Sequence, residues 1–123
     1  MSQNELRVVC NVEGFDGAMA FFRDGLDFPI THQWDNGPND RGALFQAASG
    51  TIEILRQAGA GVVDELQGVR IAVQVDDVDA SYERARDKGL SISLEPTTET
   101  WGARRFWLDG PNGIRMALFT RTD

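Results

Sequence analysis

The sequence contains a single cysteine, Cys10, and a single histidine, His32, among its 123 residues. One cysteine cannot form an internal disulfide, and the apolar, strand-like stretch around Cys10 indicates a buried core thiol. One histidine and one such cysteine do not suffice for a Ser-His-Asp or Cys-His catalytic arrangement. The sequence therefore argues against a disulfide-stabilised domain and against a nucleophilic hydrolase.

Long apolar runs are also scarce, and acidic residues outnumber basic ones by 19 to 12. The run Ala18-Met-Ala-Phe-Phe22 is far too short to cross a bilayer. The first five residues carry neither basic side chains nor the apolar stretch typical of a secretory signal. The net charge of −7 gives a surface that repels phosphate backbones and anionic lipids. We expect a cytoplasmic protein with no nucleic-acid partner and no membrane partner.

Apolar periodicity and turn residues divide the chain into strands and helices. Asp16 and Asp77 are candidate helix N-caps, and Gly89 is placed to end the second helix. A linker rich in small residues is predicted at 57–68. The predicted strands are 6–12, 28–34, 43–47, 51–56, 69–75, 90–94, 104–108 and 114–120, and the predicted helices are 17–26 and 78–88.

The order of strand, helix and three strands therefore occurs twice, and several residues repeat with it. The residues that recur 63 positions later are Val12, Asp16, Arg23 and Asp24, matched by Val75, Asp79, Arg86 and Asp87. An internal repeat of this kind indicates two copies of one structural unit. We predict an α+β protein with two βαβββ modules, at about 5–56 and 69–121, within one domain.

Particular residues of both modules carry a family resemblance. In the second module they are Val75-Asp-Asp-Val-Asp-Ala80, Arg86-Asp-Lys-Gly89, Trp101-Gly, Arg104, Phe106 and Pro111-Asn-Gly113. In the first they are Val12, Ala20-Phe-Phe22, Leu26 and Thr51-Ile-Glu-Ile54. In their order and spacing these residues resemble the vicinal oxygen chelate superfamily, which includes glyoxalase I, extradiol dioxygenases, fosfomycin-inactivating enzymes and bleomycin-resistance proteins. Asp27 and Gly110 depart from the residues that the family usually has there, Gly and Asp.

The resemblance implies a cupped mixed sheet built by both modules, with helices on its outer face and a ligand cavity inside. Strand alternation supports this division. One face of the first and fifth strands is apolar and suits packing on a helix: Val8, Cys10, Val12, Ile71, Val73 and Val75. The other face is mixed and suits a cavity: Arg7, Val9, Asn11, Arg70, Ala72 and Gln74.

The resemblance also implies four metal-ligand positions, which fall on Arg7, Glu53, Arg70 and Ala117. Only Glu53 can bind a divalent metal, because a guanidinium group has no lone pair to donate. The only histidine, His32, lies away from these positions. We therefore expect no metal and no other cofactor.

Arg7, Glu53 and Arg70 are expected to converge at this place and leave two interpretations open. They either form a self-neutralising Arg–Glu–Arg cluster, or leave one guanidinium to bind a carboxylate, phenolate or carbonyl group of a ligand. Arg104 and Arg115 are further candidates by strand alternation, although surface arginines are commonly solvated.

Three tryptophans are many for a chain of this length. Trp34 and Trp101 are predicted to line the pocket, since flat indole faces suit stacking on aromatic ligands. In bleomycin-resistance proteins the Trp-Gly motif, here at Trp101, sits at the rim of the drug groove. Trp107 is also a candidate ligand contact, although its neighbours Phe106 and Leu108 favour a place in the core.

These features favour a metal-independent binding protein over an enzyme. The predicted protein sequesters an antibiotic or aromatic natural product and, by resemblance to bleomycin-resistance proteins, is a homodimer. The alternative is a metal-free lyase-like or isomerase-like enzyme acting on a carbonyl-containing or polyketide-like substrate. There Glu53 would act as base, and Arg7 or Arg70 would stabilise an oxyanion. A third possibility is a module whose cavity is filled by its own side chains.

Overall fold

A computed structural model describes residues 5–57 and 70–123 of the chain. The linker predicted at 57–68 lies outside the described residues, except for residue 57, which ends a strand. The chain divides into two compact units, with the boundary between residues 64 and 65. No helix among the described residues is long and apolar enough to cross a membrane.

The first unit is a four-stranded mixed sheet with one helical segment. Its sheet has the order β1-β4-β3-β2, in which β1 runs parallel to β4 and the other neighbours are antiparallel. Its elements are β1 (Arg7–Asn11), α1 (Phe15–Met19), a π-helical continuation (Ala20–Gly25), β2 (Ile30–Asp35), β3 (Asp40–Ala47) and β4 (Gly50–Gln57).

The second unit repeats this arrangement. Its sheet has the order β5-β8-β7-β6, with β5 parallel to β8. Its elements are β5 (Arg70–Gln74), α2 (Val78–Asp87), β6 (Ser91–Glu99), β7 (Ala103–Asp109), a 3-10 turn (Pro111–Gly113) and β8 (Arg115–Arg121). The predicted α+β class and the two βαβββ modules are confirmed, whereas their union in one domain with one cupped sheet stays a prediction.

The two predicted helix caps have different outcomes. The Asp77 carboxylate accepts a hydrogen bond from the Ala80 N–H at 3.0 Å, so this N-cap is confirmed. The N-cap of α1 is Gly14 instead of Asp16. The helix starts earlier than predicted because the Phe15 side chain is buried and anchors its first residue.

Strand β6 extends five residues beyond its predicted end at residue 94 and includes Pro96. Proline lacks the N–H group that a central strand needs, and for that reason it favours edge strands. β6 is an edge strand, and its pairing with β7 is irregular between Ile92 and Leu94 and between Leu94 and Thr97. The sheet therefore accommodates Pro96, because an edge strand needs backbone hydrogen bonds to a neighbouring strand on one side only.

Each sheet packs its helix against one face. In the first unit Phe22 contacts Phe45 of β3, with ring centroids 5.4 Å apart, and both are fully buried. In the second, Tyr82 of α2 packs edge-on against the buried Phe106 of β7 at 5.5 Å. The opposite face of each sheet is not covered by the helix of its own unit.

Candidate ligand-binding site

The face of the second sheet that points away from α2 contains a cavity of about 250 Å³, called here the aromatic cavity. Strand register brings its lining together, because Trp107 is the partner of Ala117 and Arg105 is the partner of Phe119. The alanine side chains are too short to fill the space beneath the indole rings. The lining residues are Ala72, Trp101, Arg105, Trp107, Ala117 and Phe119.

Two indole rings and one guanidinium group form a stack in this cavity. The guanidinium carbon of Arg105 lies 5.1 Å from the ring centroid of Trp101 and 5.1 Å from that of Trp107. These distances allow cation–π attraction on both sides. The Arg105 Nε also donates to Glu99 at 3.4 Å. Trp101 nevertheless remains 62% exposed, so one side of its ring is open to a ligand.

The turn between β6 and β7 presents Trp101 to the cavity. The next residue, Gly102, has a φ of +105°, a conformation that favours glycine. Its carbonyl accepts a hydrogen bond from the Thr122 N–H at 3.0 Å. Trp101 therefore lies at the edge of the aromatic cavity, and its contact with a ligand stays a prediction.

A second cavity of about 190 Å³, called here the polar cavity, lies next to the first. Its lining residues are Arg70, Ser93, Leu94, Trp107 and Arg115. Trp107 lines both cavities, which therefore adjoin at this residue. The Arg70 guanidinium carbon lies 5.1 Å from the Trp107 ring centroid, so Trp107 contacts an arginine from each cavity.

The interpretation of Trp107 as a core residue is wrong. Its neighbours Phe106 and Leu108 are fully buried on the helix side of the sheet. Since successive residues of a strand point to opposite faces, burial of both neighbours directs Trp107 to the cavity side.

Arg104, another candidate ligand-binding residue, is not part of the lining of the aromatic or the polar cavity. Arg104 is on the helix side, where it donates to Asp79 at 2.9 Å and to Thr98 at 3.0 Å. The hydrogen bond from Arg104 lowers the pKa of Asp79. The corresponding residues of the first unit, 63 positions earlier, form the same pair: Arg41 donates to Asp16 at 3.1 Å. The sequence repeat thus preserves a strand–helix ion pair.

Arg105 was missed in the sequence, although a signal for it was present. It lies two residues before Trp107 and therefore on the same face of β7. Arg115, the other arginine that strand alternation offered as a candidate, lines the polar cavity and approaches Asp109 only to 3.6 Å.

In the first unit the structure brings Arg7 and Glu53 together. Arg7 Nη1 donates to Glu53 Oε1 at 2.9 Å, and Arg7 Nε donates to Glu5 at 2.9 Å. The hydrogen bonds to Glu5 and Glu53 raise the pKa of Arg7. Arg70 belongs to the second unit, and its convergence with this pair stays a prediction.

The residues at the four family metal positions do not fit a divalent metal. Glu53 already accepts from Arg7, Ala117 has no donor atom, and Arg7 and Arg70 are cations. Within the described residues, no three His, Cys, Asp or Glu side chains are grouped so that they could hold a metal ion.

Trp34 lies on the open face of the first sheet, where it covers Gly42 of the neighbouring strand. A Cβ atom at Gly42 would collide with the indole ring, so the ring can pack against this strand only because residue 42 has no side chain. Trp34 Nε1 donates to Asp40 at 3.2 Å, and His32 lies 6.0 Å away, measured between ring centroids. Trp34 is thus held by its own unit and is not part of the lining of the aromatic or the polar cavity.

The family model of the Glyoxalase/Bleomycin resistance protein/Dioxygenase superfamily matches residues 6–118. The chain therefore belongs to this superfamily. Among curated proteins, no significant match to the sequence is found.

Several solved structures share the fold at low sequence identity. TnmS3, an antibiotic binding protein from Streptomyces sp. CB03234, is 18% identical with a TM-score of 0.73, over 98% of this chain and 97% of that one. FosX, a fosfomycin resistance protein from Listeria monocytogenes, is 17% identical with a TM-score of 0.73, over 99% and 96%. TioX from Micromonospora sp. ML1 is 18% identical with a TM-score of 0.73, over 94% of each chain.

Proposed function

We propose that this protein binds a small aromatic molecule, either an antibiotic or another aromatic natural product, and sequesters it without a metal. The observation that carries the proposal is the stack of Trp101, Arg105 and Trp107 around the aromatic cavity. Flat indole faces, one of them exposed, attract planar ring systems by stacking and by burial of apolar surface. The antibiotic-binding function of the similarly folded TnmS3 is consistent with this use of the fold.

The size of the aromatic cavity suits a ligand with more than one ring. A cavity of about 150 Å³ holds benzene, and the aromatic cavity measures about 250 Å³. Its floor is formed by Ala72 and Ala117, whose short side chains leave that space open. These dimensions argue against a cavity filled by its own side chains.

The contacts of Glu53 favour binding over catalysis. As a general base, Glu53 would need a carboxylate oxygen free to accept a proton from a substrate. Its Oε1 accepts from Arg7 at 2.9 Å, and its side chain is only 14% exposed, which limits the access of a substrate to the other oxygen. The pair therefore supports a structural role for Glu53, so the metal-free enzyme remains the weaker alternative.

We further propose that the protein acts in the cytoplasm as a homodimer. Sequestration lowers the free concentration of a compound only while the complex persists, so the protein must bind the compound tightly. The compound must also be chemically unaltered when it is released. The test combines native mass measurement with fluorescence titration of the metal-stripped protein against antibiotics, including bleomycin and aromatic polyketides. A dimer that binds one class and releases it unchanged supports the proposal, whereas release of an altered compound supports the enzyme.

A further inference from the structure

Two arginines stand side by side in the polar cavity. Arg70 of β5 and Arg115 of β8 are direct partners in the parallel strand pair, and both line this cavity. Adjacent like charges repel each other, and this chain has a net charge of −7 with 12 basic residues in all. The pair therefore concentrates two positive charges at one place on the second sheet.

The protein's own carboxylates neutralise this pair only in part. The contact of the Arg70 side chain in the described part of the chain is with the Trp107 ring, and no carboxylate there pairs with it. Arg115 approaches Asp109 at 3.6 Å, which is longer than a good charge-assisted hydrogen bond of about 2.8 Å. The Ser93 side chain adds a hydroxyl donor to the lining. The polar cavity thus presents several donors and an excess of positive charge.

The polar cavity is placed to act together with the aromatic cavity. Arg70 and Ala72 are alternate residues of β5, and Arg115 and Ala117 are alternate residues of β8, so all four share one sheet face. Alternate residues of a strand are about 7 Å apart. A bicyclic ring with an acidic group on its outer edge spans that separation.

We infer that the ligand is an aromatic acid whose anionic group is bound by Arg70 and Arg115 while its ring occupies the aromatic cavity. This inference rests on the proposed function and narrows it from aromatic molecules in general to those carrying a carboxylate, sulfonate or similar anion. Arginine suits this task because its planar group of N–H donors matches the geometry of such oxyanions.

The test uses two probes that differ only in charge, 2-naphthoate and 2-naphthamide. Both are titrated into the full-length protein by calorimetry at pH 7, where a carboxylic acid of ordinary pKa is ionised. We expect the naphthoate to bind about tenfold more tightly, as for a charge-assisted hydrogen bond at a partly exposed site. We also expect added salt to reduce this preference, because the arginines are partly exposed.

Variants locate the source of the preference. The preference is measured within each variant as the ratio of the two affinities. This ratio should fall in Arg70→Gln and in Arg115→Gln, and it should approach one in the double variant. Arg86→Gln is the matched control, since Arg86 is on α2, pairs with Asp87 and lines neither cavity. This control removes the same net charge and should keep the tenfold preference. Thermal unfolding of each variant checks that the fold is intact.

Three outcomes decide the matter. Equal affinity for the two probes overturns the inference and leaves the proposed aromatic binding intact. A preference that persists in the double variant also overturns it, because the anion would then be bound elsewhere. Failure of both probes to bind overturns the proposed function and the inference together.

Discussion

Arg105 and Trp107 lie two residues apart on one face of β7, with the guanidinium carbon 5.1 Å from the centroid of the indole ring. The same guanidinium is 5.1 Å from Trp101, which is otherwise 62% exposed. Arg105 therefore links an exposed ring at the edge of the cavity to a ring in its wall. An aromatic side chain held in this way loses less conformational freedom when a ligand stacks on it.

Replacing Arg105 tests whether this link prepares the cavity. Arg105→Lys keeps the charge but lacks the planar group that stacks on indole. We expect it to weaken calorimetric binding of neutral 2-naphthamide by about three- to tenfold, the range of one or two cation–π contacts. The matched control is Arg86→Lys, because Arg86 stacks on Tyr82 at 5.6 Å on α2, away from the cavity. Unchanged affinity in Arg105→Lys would show that the stack is not needed for binding.

The turn at Gly102 gives a stability prediction. Gly102→Ala should lower the free energy of unfolding by about 1–2 kcal/mol, because alanine is strained at positive φ. Its Cβ would also lie 3.2 Å from the Asp123 carboxylate. Gly17→Ala in α1 is the control, since an added Cβ meets no atom within 4 Å there and should stabilise the helix by about 0.5–1 kcal/mol. Urea unfolding should give shifts of opposite sign, and equal shifts would contradict this account.

The Asp79–Arg104 pair predicts a dependence of stability on pH. The hydrogen bond from Arg104 lowers the pKa of Asp79 below its ordinary value of 3.8. A lowered folded-state pKa stabilises the fold above the unfolded pKa, and this contribution disappears as pH falls through the folded value. Asp79→Asn should therefore lower the urea midpoint at pH 7, and the difference from the wild type should shrink below about pH 4.

A double-mutant cycle supplies the control for this pair. In an Arg104→Gln background, Asp79→Asn should no longer change the pH dependence of the urea midpoint. A wild-type difference that stays constant from pH 7 to pH 3 would show that the ion pair does not contribute in this way.

Cys10 should be unreactive in the folded protein. It is 6% exposed on the helix side of β1, and burial raises the pKa of its thiol. Since the thiolate is the nucleophile, both effects slow its reaction with electrophiles. A colorimetric disulfide reagent should label no thiol at pH 8 in buffer and one thiol per chain in concentrated urea. Rapid labelling of the native protein would contradict the burial of Cys10.

The order of the elements could be predicted from the sequence because the signals for it are local. Apolar alternation marks the strands, and Asp77 and Gly89 mark the ends of α2, where the structure has a capping carboxylate and a positive φ. The length of β6 could not be predicted in this way. A proline normally indicates the end of a strand, and Pro96 can lie within β6 because β6 is at the edge of the sheet.

The side of the sheet on which each side chain lies was harder to predict. Successive residues of a strand point to opposite faces of the sheet, so an error of one residue assigns a side chain to the wrong face. Arg104 is on the helix side of β7 for this reason, whereas Arg105 is on the cavity side. The repeat offers a clue to the correct face. Asp16 and Arg41 form an ion pair in the first unit, and Asp79 and Arg104, 63 positions later, form the same pair in the second. This repetition indicates that Arg104 has a structural role. The aromatic stack itself depends on contacts between β7 and the preceding turn, which no sequence period encodes.

The measurement that tests the central claim most directly uses Trp101 variants of the metal-stripped protein. Each variant is titrated with the antibiotic that the wild type binds most tightly, and the antibiotic is recovered afterwards. Trp101→Phe keeps an aromatic face and should bind within about threefold of the wild type, whereas Trp101→Ala should bind about tenfold more weakly. Mass spectrometry should recover the ligand unaltered. Equal affinity in Trp101→Ala, or a chemically changed ligand, would contradict an aromatic sequestering site in the second unit.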